Sequence, residues 1–321
     1  MTGLWGWIAG CLIAFSYLAG MTLPGPASAR DLDYDLQPVM VTEDVYAFIG
    51  STKHFSRKNG GNIVNTGFVV GEDGVIVIDT GPSRLYGEQM LAAIRTITDK
   101  PIAKIYLTHH HPDHFLGNQA FPGATIAALP ETIQAIKAEG EGLSENMYRL
   151  VGDWMLGTEV VVPTEAVTAS PVTQAGRTLD LIPVNGHTAA DLAILDRKSG
   201  VMFAGDVVFH NRTATTPHAT LADWYLALET LKAQTFQFLV PGHGPVETDG
   251  RSIEQTLAYL KWLEATLRTA AEEGMEMTEV MAIEIPSTFD SLDVRNLEFK
   301  RSVSHLWPAL VEETLPQAPP K

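Results

Sequence analysis

The chain has one cysteine among its 321 residues, Cys11, and that residue lies inside an apolar leader. Beyond the leader there is therefore no disulfide framework, no thiolate metal ligand and no cysteine nucleophile. Positive charge is also scarce: 22 Lys and Arg stand against 38 Asp and Glu, a net charge of −16. Such a balance repels phosphate backbones and supplies no basic stripe, which excludes nucleic acid as a partner. Histidine occupies only 10 positions. Chemistry must come from those histidines, from carboxylates and hydroxyls, or from a metal. With 45% hydrophobic residues, the length suffices for one large core or two ordinary ones.

Long apolar runs are confined to the start of the chain. Leu4 to Leu23 is almost wholly apolar or small, and Pro24-Gly25-Pro26-Ala27-Ser28-Ala29 then breaks the helix and offers a small-x-small cleavage site. This predicts a signal peptide over residues 1–29, cut after Ala29, and a periplasmic or secreted mature chain that does not insert into the membrane. No Lys or Arg precedes the run, so its positive charge rests on the terminal amine. Two other readings stay open. Ile8-Ala9-Gly10-Cys11 resembles a lipoprotein box, and about 20 apolar residues can span a bilayer as an uncleaved anchor.

The scarce histidines are not scattered. Four of them fall in Thr108-His109-His110-His111-Pro112-Asp113-His114, directly after the apolar, β-branched run Ile102 to Leu107. His109 and His111 share a face only on extended backbone, so the motif is expected on a strand end and loop, with Pro112 biasing His111 away from helix. Three later polar residues repeat the situation, each past an apolar stretch and beside glycine: His187 in Asn185-Gly186-His187, Asp206 in Ala204-Gly205-Asp206, and His243 in Pro241-Gly242-His243. Glycine permits the sharp turns and close backbone approach that a crowded metal centre requires.

Around these residues the pattern alternates strands and helices. Short strands are expected at Val39 to Val41, Val45 to Ile49, Ile63 to Val70 and Val75 to Ile78, then a helix capped by Ser83 and the Ile102 to Leu107 strand. Helices follow at Glu131 to Glu139 and Glu145 to Leu156, with weak strands at Val160 to Val162 and Val172 to Thr173. Strands return at Thr178 to Val184, Leu192 to Asp196 and Val201 to Ala204, then a helix from Leu221 to Leu231 and the strand Phe238 to Val240. Past Gly250 the pattern is helical, Ile253 to Ala271 and Asn296 to Glu313, ending in a frayed tail, Pro316 to Lys321. The predicted organisation is leader 1–29, catalytic domain 30–250 and helical extension 251–321.

His-x-His-x-Asp-His followed by His, Asp and His in this order resembles the metallo-β-lactamase-fold hydrolases over roughly Val39 to Gly250. The resemblance implies an α/β, four-layer αββα sandwich with metals at one edge. It implies that His109, His111 and His187 hold one zinc, that Asp113, His114 and His243 hold a second, and that Asp206 bridges both. Three neutral imidazoles leave a zinc open to water and lower that water's pKa to about 7, which supplies hydroxide for attack on a carbonyl of a small molecule. Two zinc ions against two carboxylates and one hydroxide leave the centre with one net positive charge, suited to an anionic tetrahedral intermediate. Asp113 and Asp206 are the candidate catalytic carboxylates.

Asp79, in Val75-Ile76-Val77-Ile78-Asp79-Thr80-Gly81, matches the family's early Asp-x-Gly element and is expected to orient a ligand histidine. His110 is expected to point away from the ligands. The loop from Phe209 to His218 offers His210, Arg212 and His218 as substrate contacts, and the Lys53 to Asn62 turn reads as a flap. Lactamases with cysteine at the bridging position are excluded by Asp206, and their substrate-binding Lys is missing, Arg212 being the nearest base. More loosely the chain is similar to exported metallohydrolases associated with bacterial quinoprotein and sulfur-oxidation systems. A β-lactamase remains one alternative. A persulfide-dioxygenase-like oxidoreductase is another, with one iron on His109, His187 and Asp206. The third is a non-catalytic, metal-stabilised protein whose C-terminal helices dock a protein partner.

Overall fold

Alternate side chains of each strand face different layers in this computed structural model, which describes Thr2, Gly3 and residues 32–314. The leader and tail readings otherwise fall outside the described residues. The first sheet joins β1 (Val39–Thr42), β2 (Val45–Phe48), β3 (Thr66–Val70), β4 (Val75–Ile78), β5 (Ile102–Tyr106), β6 (Ile126–Ala128) and β7 (Glu165–Ala166) in chain order. Its first four strands form an antiparallel meander, and β4 to β7 run parallel. Val75 and Val77 face the helix α1 (Arg84–Arg95), while Ile76 and Ile78 face the second sheet, as a period of two dictates. The carboxyl ends of parallel strands gather at one edge, where α/β ligand sites form.

The second sheet has the order β12 (Phe238–His243), β11 (Val201–Phe209), β10 (Asp191–Asp196), β9 (Arg177–Val184), β8 (Val172–Gln174). Leu179, Leu181, Leu192, Ile194 and Phe203 meet Ile76 and Ile78 in the core between the sheets. Its other face is covered by α4 (Leu221–Lys232), α5 (Arg251–Glu272) and α7 (Arg295–Thr314), through Trp224, Leu228, Leu260, Leu263 and Phe299. The result is the expected helix–sheet–sheet–helix sandwich, with the C-terminal helices packed into its outer core. From Asp33 onward the chain is one compact unit. Among the described residues, no helix is long and apolar enough to cross a membrane.

Several elements depart from the pattern-based expectation. The third strand starts at Thr66, because Asn65 turns its side chain to Gly50 N, Pro241 O and Gly244 O in place of a ladder. The two helices expected between Glu131 and Leu156 are one, α3 (Pro130–Val151). Gly140 does not break it, since a side chain there would press on Val160, and tertiary packing overrides helix propensity. Val160 to Val162 forms no strand; the edge ladder falls at Glu165–Ala166. The strand expected to stop at Ala204 continues through Asp206 to Phe209, paired in parallel with β12 across a register shift at Gly205.

Candidate metal centre

The histidine motif emerges from β5 on extended backbone but does not remain a loop. His111 (φ −71°, ψ 146°) caps a single turn, α2 (Pro112–Phe115), with Pro112 at its first position. Pro112 therefore starts a helix instead of excluding one, since its fixed φ and missing N–H suit that place. The turn carries Asp113 and His114 back toward His109. Asp79, left-handed at φ 55°, directs its carboxylate into the same corner. Its oxygens accept from Thr108 N and Thr108 Oγ1, both at 2.8 Å, and from His114 Nδ1, also at 2.8 Å. That last bond fixes the ring so that His114 Nε2 is the free nitrogen.

The later residues come from the second sheet. His187 follows β9, Asp206 lies inside β11, and His243 ends β12. The glycine beside His243 has a steric reason, because a Cβ on Gly242 would lie 1.9 Å from Asp206 Oδ1. His243 Nδ1 donates to Ile63 O at 2.6 Å. The His187 ring stands edge-on to Trp224, with centroids 5.0 Å apart. Its loop is held by Asp191, which accepts from Thr188 N at 2.9 Å and Thr188 Oγ1 at 2.7 Å.

All seven side chains converge in two adjoining groups. His109, His111, His187 and Asp206 form one and Asp113, His114 and His243 the other, with ligating atoms in each within 4.8 Å of one another. Asp206 reaches across: Oδ2 lies 3.4 Å from His187 Nε2 and 3.0 Å from His243 Nε2, and Oδ1 lies 3.1 Å from His114 Nε2. Asp113 Oδ2 is 3.6 Å from His243 Nε2. Burial pushes His109 and His111 well below the usual histidine range, and His187 down to about 3, so these imidazoles are neutral and keep a lone pair to give. Burial also lowers His114, but Asp206, Asp79 and Asp113 outweigh it and raise this group well above its usual value. Asp206, although buried, is held well below the carboxylate range by His243 and His114.

These observations fit a cation. The Nε2 atoms of His109 and His114 and Asp206 Oδ1 are buried without a hydrogen-bond partner among the described residues. Buried polar atoms left without partners are costly unless something bonds them. The negative field that retains a proton on His114 suits a metal ion in its place, and nitrogen with carboxylate donors matches borderline divalent ions.

A cavity of about 180 Å³ opens over the cluster and is lined by His111, Asp113, Asp206, His243, Arg212 and His218, among others. Arg212 and His218 thus border it, whereas His210 does not: its Nδ1 donates to Pro245 O at 2.8 Å. His218 Nδ1 also meets His111 Nε2 at 2.9 Å, which makes it a support for His111 as well as a wall residue. His110 is buried beside His218, with centroids 4.9 Å apart, 3.8 Å from Glu139, and is no surface residue. The Lys53 to Asn62 turn is pinned, since Tyr34 Oη donates to Gly60 O and Trp154 Nε1 to Arg57 O. Sequence reasoning did not find Thr108, Asp191, Glu298 or Arg301. Only Thr108, inside the motif, carried a signal.

Comparison with known proteins agrees with this geometry. The family model described as the metallo-beta-lactamase superfamily matches residues 59–243. A beta-lactamase-like protein 2 homolog of Caenorhabditis elegans is 28% identical over 175 residues, covering 53% of this chain and 52% of that protein. The chain thus spans about half the length of this relative. A Pseudomonas linear primary-alkylsulfatase is 49% identical over 49 residues, 15% of this chain and 9% of that protein. The Bos taurus acyl-coenzyme A thioesterase MBLAC2 is 26% identical over 215 residues, 57% of this chain and 74% of that protein. Among solved structures, a metallo-beta-lactamase from Pontibacter korlensis superposes with a TM-score of 0.58 at 22% identity, covering 70% of this chain and 99% of that one. The sec-alkyl sulfatase PisA1, as a double mutant, gives 0.63 at 17% identity, covering 87% and 50%. At such identities these likenesses carry the fold alone.

Proposed function

Because the chain belongs to the metallo-β-lactamase superfamily, we propose that it is a binuclear, zinc-dependent hydrolase of small molecules bearing an ester, thioester, lactone or lactam carbonyl. The observation that carries this reading is the position of Asp206 between the two ligand groups, with Oδ2 3.4 Å from His187 Nε2 and 3.0 Å from His243 Nε2, and Oδ1 3.1 Å from His114 Nε2. His109, His111 and His187 would hold one ion, and Asp113, His114 and His243 the other, with Asp206 shared. The second group suits the single-iron oxygenase alternative as well, and metal content separates the two readings. When bound, such ions supply Lewis acidity and bring the pKa of a coordinated water near 7.

The chain's own residues then have separable tasks. Asp79 holds the His114 ring through Nδ1, and His218 accepts from His111 Nε2, so both rings are aimed before any ion arrives. Asp113, on the cavity floor, would accept a proton on its carboxylate during the reaction, although a carboxylate that is also a ligand is a weaker base than a free one. Buried neighbours exclude bulk water from the floor and strengthen these interactions. Carbonyl chemistry is supported by the relative named as a thioesterase, and the absence of a lysine shortly after Asp206, where Arg212 is the nearest base, disfavours a lactamase. Export to the periplasm, with cleavage after Ala29, is supported by the apolar leader and its small-x-small end. The amino-terminal sequence of the mature protein tests it.

The test of function is a panel of esters, thioesters, lactones and β-lactams on the zinc-loaded chain. Turnover that disappears on chelation and returns with zinc is expected. Undiminished turnover by the metal-free protein, or none on any member of the panel, would sink the reading.

A further inference from the structure

One wall of the cavity is built from charge with no function in the ligand set. Arg212, 3% exposed, follows β11, and Glu298, fully buried, and Arg301 come from the C-terminal helix α7. Arg212 Nη2 and Arg301 Nη1 each lie 3.5 Å from the same oxygen, Glu298 Oε1. These are ion pairs without hydrogen bonds. Arg212 Nε and both Glu298 oxygens are buried with no hydrogen-bond partner among the described residues. Arg212 Nη1 donates only to Thr213 O at 3.5 Å and Thr215 Oγ1 at 3.2 Å. A buried guanidinium left short of acceptors costs free energy, and a ligand oxygen that accepts from it returns that cost, while Glu298, an acceptor itself, serves to hold the two guanidiniums.

The charge balance says which kind of ligand. On the wall itself two guanidiniums meet one carboxylate, a surplus of one positive charge; Arg212 also feels Asp206 and Asp113 on the floor, whose charge bound ions would offset. His54 Nδ1 lies 3.7 Å from Glu298 Oε1, but burial together with Arg301 and Arg212 lowers His54 to about 4, so it adds no charge at neutral pH. The chain as a whole is at −16 and repels anions, so an anion would settle here only if the local field were built for it. Guanidinium forks match the oxygens of carboxylates and sulfates. The cavity also borders Phe55 and Leu143, apolar surface for the rest of a small molecule.

We propose that Arg212 and Arg301, held together by Glu298, form a subsite for an oxyanion group of the substrate, a carboxylate or a sulfate. This rests on the hydrolase reading only for the claim that the bound molecule is turned over. The C-terminal helix thereby becomes a selectivity element of the site.

The test measures binding of succinate and of methyl sulfate to the full, zinc-loaded chain at low salt. Arg301→Gln is the primary variant, because its side chain is one-third exposed and its loss should spare the fold. Affinity for at least one probe should fall about tenfold, the size of one charge-assisted contact, with metal content unchanged, and Arg301→Lys should recover part of it. The probe that weakens identifies the oxyanion. Unchanged affinity for both in Arg301→Gln and Arg212→Lys, with metals retained, overturns the subsite. In parallel, the ratio of kcat/KM for a monoester of succinate to that for its diester should fall by a similar factor. Weakened probe binding without turnover of any ester supports the subsite and refutes the hydrolase reading instead.

Discussion

The floor of the cavity and its wall are built on opposite principles. On the floor, ligand rings and carboxylates are tied from behind: His114 by Asp79, His111 by His218, His243 by Ile63 O and the His187 loop by Asp191. On the wall, Arg212 and Glu298 are equally buried yet have donors and acceptors to spare. A floor of preset ligands would serve any substrate with a hydrolysable bond, because a bound ion there would supply the polarisation. A wall of unspent charge chooses among them. The difference assigns reactivity to the ends of β5, β9 and β12, the α2 turn and the middle of β11, and selectivity to α7 and the turn after β11.

If this division holds, damage to the floor lowers turnover of every substrate alike. The largest effect is expected for His187→Ala, which removes one of three neutral imidazoles from the first group. Turnover should drop by about a thousandfold or more, with one metal equivalent lost, as read by panel kinetics and elemental analysis. Asp79→Ala should be milder. It frees the His114 ring and the Thr108 backbone, and metal affinity measured by chelator competition should weaken by about 10–100-fold. A loss confined to anionic substrates in either variant would break the comparison.

The smallest effect concerns pH. Burial raises Asp191 to about 7, against the opposing hydrogen bonds from Thr188. The unfolded group titrates near 4, so between about 4 and 7 the folded state binds more protons than the unfolded one. Asp191 therefore stabilises the fold most at the acid end of that window, and its contribution declines as pH rises through it. Asp191→Asn should flatten this part of the stability profile in chemical denaturation of metal-free protein. An unchanged slope would mean that the Thr188 bonds keep the carboxylate ionised.

Much of the floor was legible in the sequence because metal ligation restricts residue type so severely. Histidines two apart before a proline, with lone His or Asp residues beside glycine past apolar runs, make a combination that few roles besides metal binding require. The wall was not legible. Glu298 and Arg301 look like ordinary charges on an amphipathic helix, and only tertiary packing brings them to Arg212, nearly ninety positions earlier. The place of His210 is hidden for the same reason, since nothing local reveals that Pro245 O takes its Nδ1. The sandwich followed from strand alternation, whereas the unbroken α3 did not, because Gly140 owes its place to Val160 on another segment.

The division between floor and wall depends on the metals, and the most direct measurement is the elemental content of the chain purified from its native host. Two zinc ions per chain, falling to about one in His187→Ala, is the predicted result. A single iron per chain, with oxygen consumed in the presence of a persulfide, would contradict it.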